Sequence, residues 1–300
     1  MLKPLCESAR LTVKRLLATI FALMLVAGGY THTQGASEQD EPLIYFGFIP
    51  RYNPLVMYRT YQPIMDYLSA NTPYRFELKL SRDYPDALRM LREGETQIAS
   101  LGDLTFIQAF RAFGAVPILK PLNAEGLPLY RSSIVVRADS PIRSLDDLRG
   151  ASFAFGNYHS TSGNLVPHYY FYQQSFSPEE FSRWDNLSSH DAVAKAVLKG
   201  QYDAGALKDV VAHHYLSHGL RILADSDPIP SVPIVVRQDT SPTLITAVKQ
   251  ALLTIDPADP FLKSWDTEFS HGFVLADEDD YDIILHMMDN TDPGCARQCH

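Results

Sequence analysis

The sequence predicts an α/β fold of two similar lobes, because strands alternate with helices and because two short patterns each occur twice. The alternation is typical of largely parallel sheets. The first repeated pattern is Ile-Val-Val-Arg at residues 134–137 and again at 234–237. The second is a helix-ending glycine, Gly94 or Gly200, followed by a short strand that ends in leucine. The repeats predict two lobes joined by two crossing strands; chance likeness between common strand–helix units is the alternative.

The individual elements follow from their patterns of apolar residues. Dense or alternating apolar runs predict strands at residues 43–49, 75–80 and 98–101. Helical spacing predicts helices at residues 55–68 and 85–92. Pro63 interrupts the first of these helices, and Gly94 is the expected stop of the second.

The chain order divides these elements between the two lobes. We expect lobe 1 to comprise residues 37–134 and 236–300, and lobe 2 to comprise residues 135–235. The carboxyl ends of the strands in the two lobes would then face each other across a cleft, which is where open α/β sheets bind their ligands.

The first 36 residues predict a secretory signal peptide. A basic start (Lys3, Arg10, Lys14 and Arg15) precedes an uncharged apolar run from Leu16 to Ala27, and small residues follow. That run is shorter than the roughly 20 residues that a membrane-spanning helix needs. An uncleaved membrane anchor is the alternative. Either way, the remainder of the protein is expected to be exported.

Charge and composition exclude several classes of function. The hydrophobic share of 46% is that of an ordinary globular protein. The formal net charge is -9, which argues against binding to nucleic acid or to an anionic membrane, since both need a basic face. Beyond residue 36 the cysteines are Cys295 and Cys299, which we interpret as part of a frayed terminus although export permits a disulfide. No cofactor is expected.

A run of small polar residues is the most informative segment. A strand at 152–155 ends at Gly156, and Ser-Thr-Ser-Gly at 160–163 precedes a helix that runs toward Tyr172. Free amides and hydroxyls at the positive end of a helix form a cradle for an oxyanion. A plain Ser/Thr helix cap is the alternative. No lysine follows the turn, so it is not a nucleotide P-loop.

These residues resemble the phosphate/phosphite/phosphonate-binding proteins of ABC importers. The resemblance rests on residues 153–156, 160–163 and 165–167, together with Ser-His-Asp-Ala-Val at 189–193. Shorter matches extend it over residues 43–255, and they lie at residues 49–50, 62–63, 66–68, 101–102, 130–132, 135–137, 144–150, 203–206 and 228–230.

The resemblance implies a type II periplasmic binding protein fold, whose two lobes close on a small oxyanion. It implies a periplasmic location, a membrane permease as partner, a monomeric state and no enzymatic activity. Carried over by motif, the ligand contacts are Ser160, Thr161, Ser162 and His190. A structural or helix-capping histidine is the alternative for His190.

Four further residues are candidate ligand contacts. Asp103 and Asp209 occupy equivalent places in the second repeat, where they could hold the amine of an aminoalkyl phosphonate or simply cap the next helices. Lys208 lies beside Asp209 and is able to neutralise it.

Family members usually carry an aromatic hydroxyl where this chain has Phe106, so Tyr52 is expected to supply a phenol instead, with a surface tyrosine as the alternative. Arg51 is a further candidate anion contact.

Other classes of function find less support in the sequence. Ser160, His190 and Asp191 are the residue types of a hydrolase, but the nucleophile-elbow motif is missing and Asp191 adjoins His190 in sequence. His213, His214 and His218 have a spacing on a predicted helix that can bind a metal, but a solvated helix face is the favoured interpretation, because no separate ligand cluster is evident. We therefore predict a binding protein for import; a binding protein that reports to a membrane receptor is the alternative within the same class.

Overall fold

Two mixed sheets organise the computed structural model, which describes residues 41–265 and 268–291. The predicted signal segment, Cys295 and Cys299 lie outside the described residues. The first sheet has the strand order β13–β4–β12–β3–β1–β2. Its strands are β1 (Leu43–Phe48), β2 (Arg75–Leu80), β3 (Ile98–Ser100), β4 (Val116–Pro121), β12 (Ile234–Val236) and β13 (Phe273–Leu275).

The second sheet has the strand order β10–β6–β9–β7–β8. Its strands are β6 (Ser132–Arg137), β7 (Ser152–Phe155), β8 (Arg183–Asn186), β9 (Ala204–Lys208) and β10 (Leu220–Asp225). We call each sheet with its packed helices a lobe, the first lobe around the first sheet and the second lobe around the second sheet. The predicted α/β class is confirmed.

The chain passes between the lobes along two short antiparallel strands, β5 (Leu129–Tyr130) and β11 (Ile229–Pro230). β5 leads into β6 of the second sheet, and β11 leads back into β12 of the first. The exact lobe boundaries expected after residues 134 and 235 stay predictions.

Helices cover the faces of both sheets. The first lobe carries α1 (Pro54–Asn71), α2 (Tyr84–Arg92), α3 (Asp103–Phe113), α7 (Pro242–Leu253), α8 (Pro260–Lys263) and α9 (Asp282–Asn290). The second lobe carries α4 (Val166–Gln173), α5 (His190–Leu198) and α6 (Asp209–Leu216). In the described ranges, no helix has both the length and the apolar character that crossing a membrane requires.

Helix α1 continues through Pro63 instead of breaking there. A proline inside a helix costs about 3 kcal/mol. Buried apolar side chains along α1 repay that cost, since each is worth about 1.5–3 kcal/mol, and they are Met57, Tyr61, Ile64, Met65 and Leu68. Arg59, whose carbonyl loses its partner to the proline ring, is exposed, so water can satisfy it.

The repeated patterns of the sequence pack against each other in each lobe. Arg137 and Arg237, at the ends of β6 and β12, donate to the carboxylates of Asp139 and Asp239. A Cβ built on Gly94 would lie 2.8 Å from Nη1 of Arg237. In the second lobe, a Cβ on Gly200 would lie 3.5 Å from Nη1 of Arg137. In each lobe, the arginine of the Ile-Val-Val-Arg pattern thus packs against the helix-ending glycine. This shared contact explains why the two patterns occur together in both lobes.

Candidate functional site

The Ser-Thr-Ser-Gly turn follows β7. Its last three residues begin a wide helical turn, Thr161–Leu165, that continues into α4. Ser160 caps this turn, and its Oγ accepts a hydrogen bond from Gly163 N at 3.0 Å. Gly156 N donates to Gly163 O at 2.6 Å, an approach so close that a Cβ on Gly156 would lie 2.9 Å from Gly163 Cα. The turn is therefore held rigidly, and it requires glycine at both positions.

The turn is buried between the lobes and does not face solvent. Ser160, Thr161 and Ser162 are each at most 3% exposed. Leu104 N, in the first turn of α3, donates to Thr161 Oγ1 at 2.9 Å. Thr105 Oγ1 of the same helix donates to His159 O at 3.1 Å. The amino-terminal end of α3 in the first lobe thus faces the predicted oxyanion turn of the second lobe, and both helix ends favour negative charge.

His190 is the first residue of α5 and is 4% exposed. Lys208 N donates to its Nδ1 at 3.3 Å, so the ring proton of the neutral imidazole belongs on Nε2. Burial lowers the pKa of His190 to about 3, and the charges of Lys208 and Arg51 act in the same direction. The side chain is therefore a neutral hydrogen-bond donor. Its Cε1 would lie 3.1 Å from a Cβ on Gly163, so ring and turn are in contact.

A cluster of buried charges lies beside His190. Arg51 Nη1 pairs with Glu268 Oε1 at 3.1 Å, and both side chains are less than a tenth exposed. Tyr61 Oη donates to Glu268 Oε2 at 3.0 Å. Burial works to raise the pKa of Glu268, but Arg51 and Lys208 outweigh it and hold that pKa below its usual value. The glutamate is therefore a fixed negative charge.

Lys208 brings a second cation to this cluster from the second lobe. Its Nζ lies 3.9 Å from Glu268 Oε1 and 4.5 Å from the centre of the Tyr130 ring, and its side chain is 4% exposed. Burial lowers the pKa of Lys208, and Glu268 opposes that effect. Two cations therefore lie beside the fixed carboxylate of Glu268, and the carboxylate of Asp209 also acts on Lys208.

Asp103 begins α3 and is completely buried. Tyr130 Oη donates to its Oδ2 at 2.7 Å. Its Oδ1 has no hydrogen-bond partner in the described part of the chain. Burial raises the pKa of Asp103 to about 7, although Tyr130, Lys208 and Arg51 each work against that rise. The sequence predicted that this carboxylate lies at the rim of the cleft. The structure instead buries it completely, beside the turn.

Asp209 begins α6, as Asp103 begins α3, but its carboxylate is engaged by the backbone. Its Oδ2 accepts from Arg131 N at 2.9 Å, and its Oδ1 accepts from Val210 N at 2.7 Å. Asp209, Lys208 and Glu268 line a cavity of about 300 Å³, which Tyr130 also borders. A role for Asp209 in ligand binding stays a prediction.

Tyr52 does not line this cavity. It lines a larger opening of about 630 Å³, together with Asp83 from the first lobe and Asn157 and Ser189 from the second. Phe106, which replaces the expected aromatic hydroxyl, is 1% exposed and packs edge-on against Tyr281 at 4.9 Å. Phe106 is therefore part of the core of the first lobe, and Tyr52 borders the cleft.

The residues of the alternative chemistries do not converge. Asp191 accepts from Lys195 Nζ at 2.7 Å and from Tyr215 Oη, while His190 Nδ1 accepts from a backbone amide, so no Ser-His-Asp relay forms among these residues. His213, His214 and His218 are exposed. Nowhere in residues 41–265 and 268–291 do three metal-binding side chains come together.

Sequence reasoning missed Glu268, Ser100 and Tyr130 as parts of this cluster. Ser100 Oγ accepts from Arg51 Nη2 at 3.1 Å, so it fixes the guanidinium from the end of β3. Glu268 lies in a turn, and no motif of the sequence marks it. The pair Tyr130–Arg131 was noted only as part of the resemblance. Its place at the end of the crossing strand β5 is the one signal that could have drawn attention to Tyr130.

Comparison with known proteins identifies the family. A family model described as "ABC transporter, phosphonate, periplasmic substrate-binding protein" matches residues 46–281. The chain belongs to this family. The family is one of transport proteins that bind substrate in the periplasm, and the predicted resemblance is confirmed.

Two relatives illustrate the match in sequence. The phosphonates-binding periplasmic protein of Escherichia coli K12 is 29% identical over 221 residues, which are 69% of this chain and 64% of that protein. The chain thus spans less than two thirds of that relative's length. The phosphate-import protein PhnD of Mycolicibacterium smegmatis is 24% identical over 305 residues, covering 91% of this chain and 94% of the relative.

Solved structures share the fold. A binding protein of a phosphonate ABC transporter from Pseudomonas aeruginosa superposes with a TM-score of 0.75 at 26% identity, covering 83% of this chain and 86% of its own. PhnD1 of Prochlorococcus marinus, solved in complex with methylphosphonate, gives a TM-score of 0.74 at 20% identity over 83% of this chain and 98% of its own. The predicted two-lobed type II fold is confirmed.

Proposed function

We propose that this protein captures a small phosphorus oxyanion, a phosphonate, phosphite or phosphate, in the periplasm and delivers it to the permease of an ABC importer. The observation that supports the proposal most directly is the buried Ser-Thr-Ser-Gly turn facing the amino-terminal end of α3 across the two lobes. Such a site surrounds a tetrahedral anion with donors from both sides.

Ser160, Thr161, Ser162 and His190 are the proposed ligand contacts. The three hydroxyl residues lie together at the start of one helical turn, and the Nε2–H of His190 is proposed to add a donor. Each hydrogen bond to a charged oxygen contributes about 1.5–3 kcal/mol. Four such bonds exceed the roughly 8 kcal/mol of micromolar binding, with a margin for the entropy that association loses.

Arg51 and Lys208 are proposed to offset the charge of the ligand. The protein as a whole carries a net charge of -9, so it repels anions at long range. A buried pair of cations shared by Glu268 reverses that preference locally, because Coulomb interactions are stronger where water is excluded. Specific capture then depends on this focused site and not on a basic surface.

Tyr52, Asp209 and Asp103 have different proposed positions around the ligand. Tyr52 borders the opening of about 630 Å³, where its phenol can contact the anion as the lobes close. Asp209 lines the cavity of about 300 Å³, which has room for an organic substituent on phosphorus. Asp103 lies beside the turn itself.

The ligand class is also supported by the relatives. One is named for phosphonates, one for phosphate import, and a structural neighbour holds methylphosphonate.

We propose a monomer whose signal segment, residues 1–36, directs it to the periplasm. A reporter of ligand occupancy to a membrane receptor is an alternative partnership for the same site. The absence of enzymatic activity stays a prediction.

The proposal is tested by calorimetric titration with methylphosphonate, phosphite and phosphate. Thr161→Val should weaken binding by roughly 10- to 100-fold, the equivalent of one hydrogen bond to a charged oxygen. Thr96→Val is the matched control, because Thr96 is a buried threonine in the first lobe whose Oγ1 has no partner in the described residues. It should bind as the wild type does. A folded protein that binds none of the three oxyanions would contradict the proposal.

A further inference from the structure

We propose that Asp103 shares one proton with the bound oxyanion, so that ligand capture takes up a proton and favours oxyanions that can themselves carry one. This inference rests on the proposed function, because it concerns the same binding site. It adds a residue that determines specificity, and it predicts a measurable exchange of protons with solvent.

The position of Asp103 supports direct contact with the ligand. The next residue, Leu104, donates its amide N–H to Thr161 Oγ1 at 2.9 Å. Asp103 is therefore bonded in sequence to a residue that contacts the oxyanion turn. Tyr130 occupies one carboxyl oxygen, Oδ2, at 2.7 Å. The other oxygen, Oδ1, is fully buried and lacks a hydrogen-bond partner among the described residues. A buried polar atom without a partner costs free energy, unless a ligand or a proton compensates it.

The charges around Asp103 come from several elements. Tyr130 of β5, Lys208 of β9 and Arg51 after β1 all interact with its carboxylate, and Tyr281 before α9 is close enough for Asp103 to raise the pKa of its phenol. Glu268 pairs with Arg51, and the carboxylates of Glu268 and Asp209 both act on Lys208. An ionised Asp103 would therefore compete with the ligand for the same two cations.

A shared proton resolves this conflict. If Asp103 is protonated, its O–H donates to an oxygen of a dianionic phosphonate. If the phosphonate is the protonated partner, its P–O–H donates to the Asp103 carboxylate. Both states contain one proton and two negative charges in total, so no other group has to change. Burial holds the pKa of Asp103 near 7, which puts the two states close in free energy.

A sulfonate cannot provide this proton, since it is fully ionised at neutral pH. It therefore binds only when Asp103 is protonated. Above neutral pH, its affinity should fall about tenfold for each pH unit, following the protonated fraction of one group. Methylphosphonate retains the choice between the two states and therefore loses less affinity near pH 7.

The test is calorimetric titration with methylphosphonate at pH 8.5 in two buffers that differ in heat of ionisation. At this pH both free partners are largely deprotonated, so the wild type should take up close to one proton for each ligand bound. Asp103→Asn should take up almost none, since an amide donates without titrating. Asp185→Asn is the matched control: Asp185 also accepts from a tyrosine, Tyr202 at 2.6 Å, but lies on the edge strand β8, and it should behave like the wild type.

Tyr130→Phe keeps the test independent of how well the asparagine variant folds. Loss of the tyrosine hydrogen bond should raise the pKa of Asp103, so the pH at which methanesulfonate binding weakens should move upward. Equal proton uptake by the wild type and Asp103→Asn, or an unmoved midpoint in Tyr130→Phe, would overturn the proton-sharing inference alone. Failure of all proteins to bind methylphosphonate would instead overturn the proposed function, and this inference with it.

Discussion

Single residues in the cleft have protonation states that the fold imposes. His190 is neutral because burial lowers its pKa to about 3, and Asp103 holds a proton up to about pH 7 because burial raises its pKa. The two groups therefore affect stability in opposite directions. The folded protein resists protonating His190 between pH 6.5 and 3, so this residue costs stability as pH falls. Between about pH 4 and 7, Asp103 is protonated in the folded protein but ionised in the unfolded chain. Asp103 therefore costs stability as pH rises through that range.

Denaturant unfolding at pH 4.5, 5.5 and 6.5 separates these two effects. Relative to the wild type, His190→Asn should gain stability as pH falls, and Asp103→Asn should gain it as pH rises, by up to about 1.4 kcal/mol per pH unit in each case. The comparison with wild type cancels the contributions of other titrating groups. Parallel pH profiles for the wild type and either variant would contradict the assigned protonation state of that residue.

At the level of single helices, a capping residue positions one of the proposed ligand contacts. Ser189 caps α5 through its Oγ, which accepts from Ala192 N at 3.2 Å, and His190 follows it directly. Ser189→Ala should cost about 1 kcal/mol of stability and weaken oxyanion binding, because the first turn of α5 loses its anchor. Ser241→Ala is the matched control, since Ser241 precedes α7 without a side-chain cap bond. Thermal unfolding and calorimetry should find it nearly unchanged; an equal loss in both variants would refute the role of the cap.

Elements could be predicted from the sequence where local pattern decides them. The strands at 43–48 and 75–80 and the turn before α4 were predicted because apolar alternation and small polar residues act locally. The continuity of α1 through Pro63 could not be predicted, since tertiary burial outweighs the local penalty. Glu268 could not be found either, because only the packing of a distant turn brings it to Arg51.

The whole molecule joins its lobes through charges contributed by both. Lys208 comes from the second sheet, while Arg51 and Glu268 come from the first lobe. Lys208→Met should therefore weaken methylphosphonate binding by at least tenfold. It should leave the unfolding temperature unchanged or raised, because replacing a buried, incompletely paired charge by an apolar side chain removes a desolvation cost.

Lys199→Met serves as the control for this change, because Lys199 is exposed at the carboxyl end of α5, whereas His190 begins that helix. Its affinity should match that of the wild type at physiological salt. If Lys208→Met retained full affinity, the assignment of Lys208 to ligand charge compensation would be wrong.

The hydrogen bond from Leu104 N to Thr161 Oγ1 connects an amide of one lobe to a hydroxyl of the other. In the proposed site, Ser160, Thr161, Ser162 and His190 lie in the second lobe, and Arg51 and Asp103 lie in the first. Separation of the lobes would therefore break every contact from the first lobe at once. We expect ligand release to follow from this opening and not from exchange with free ligand.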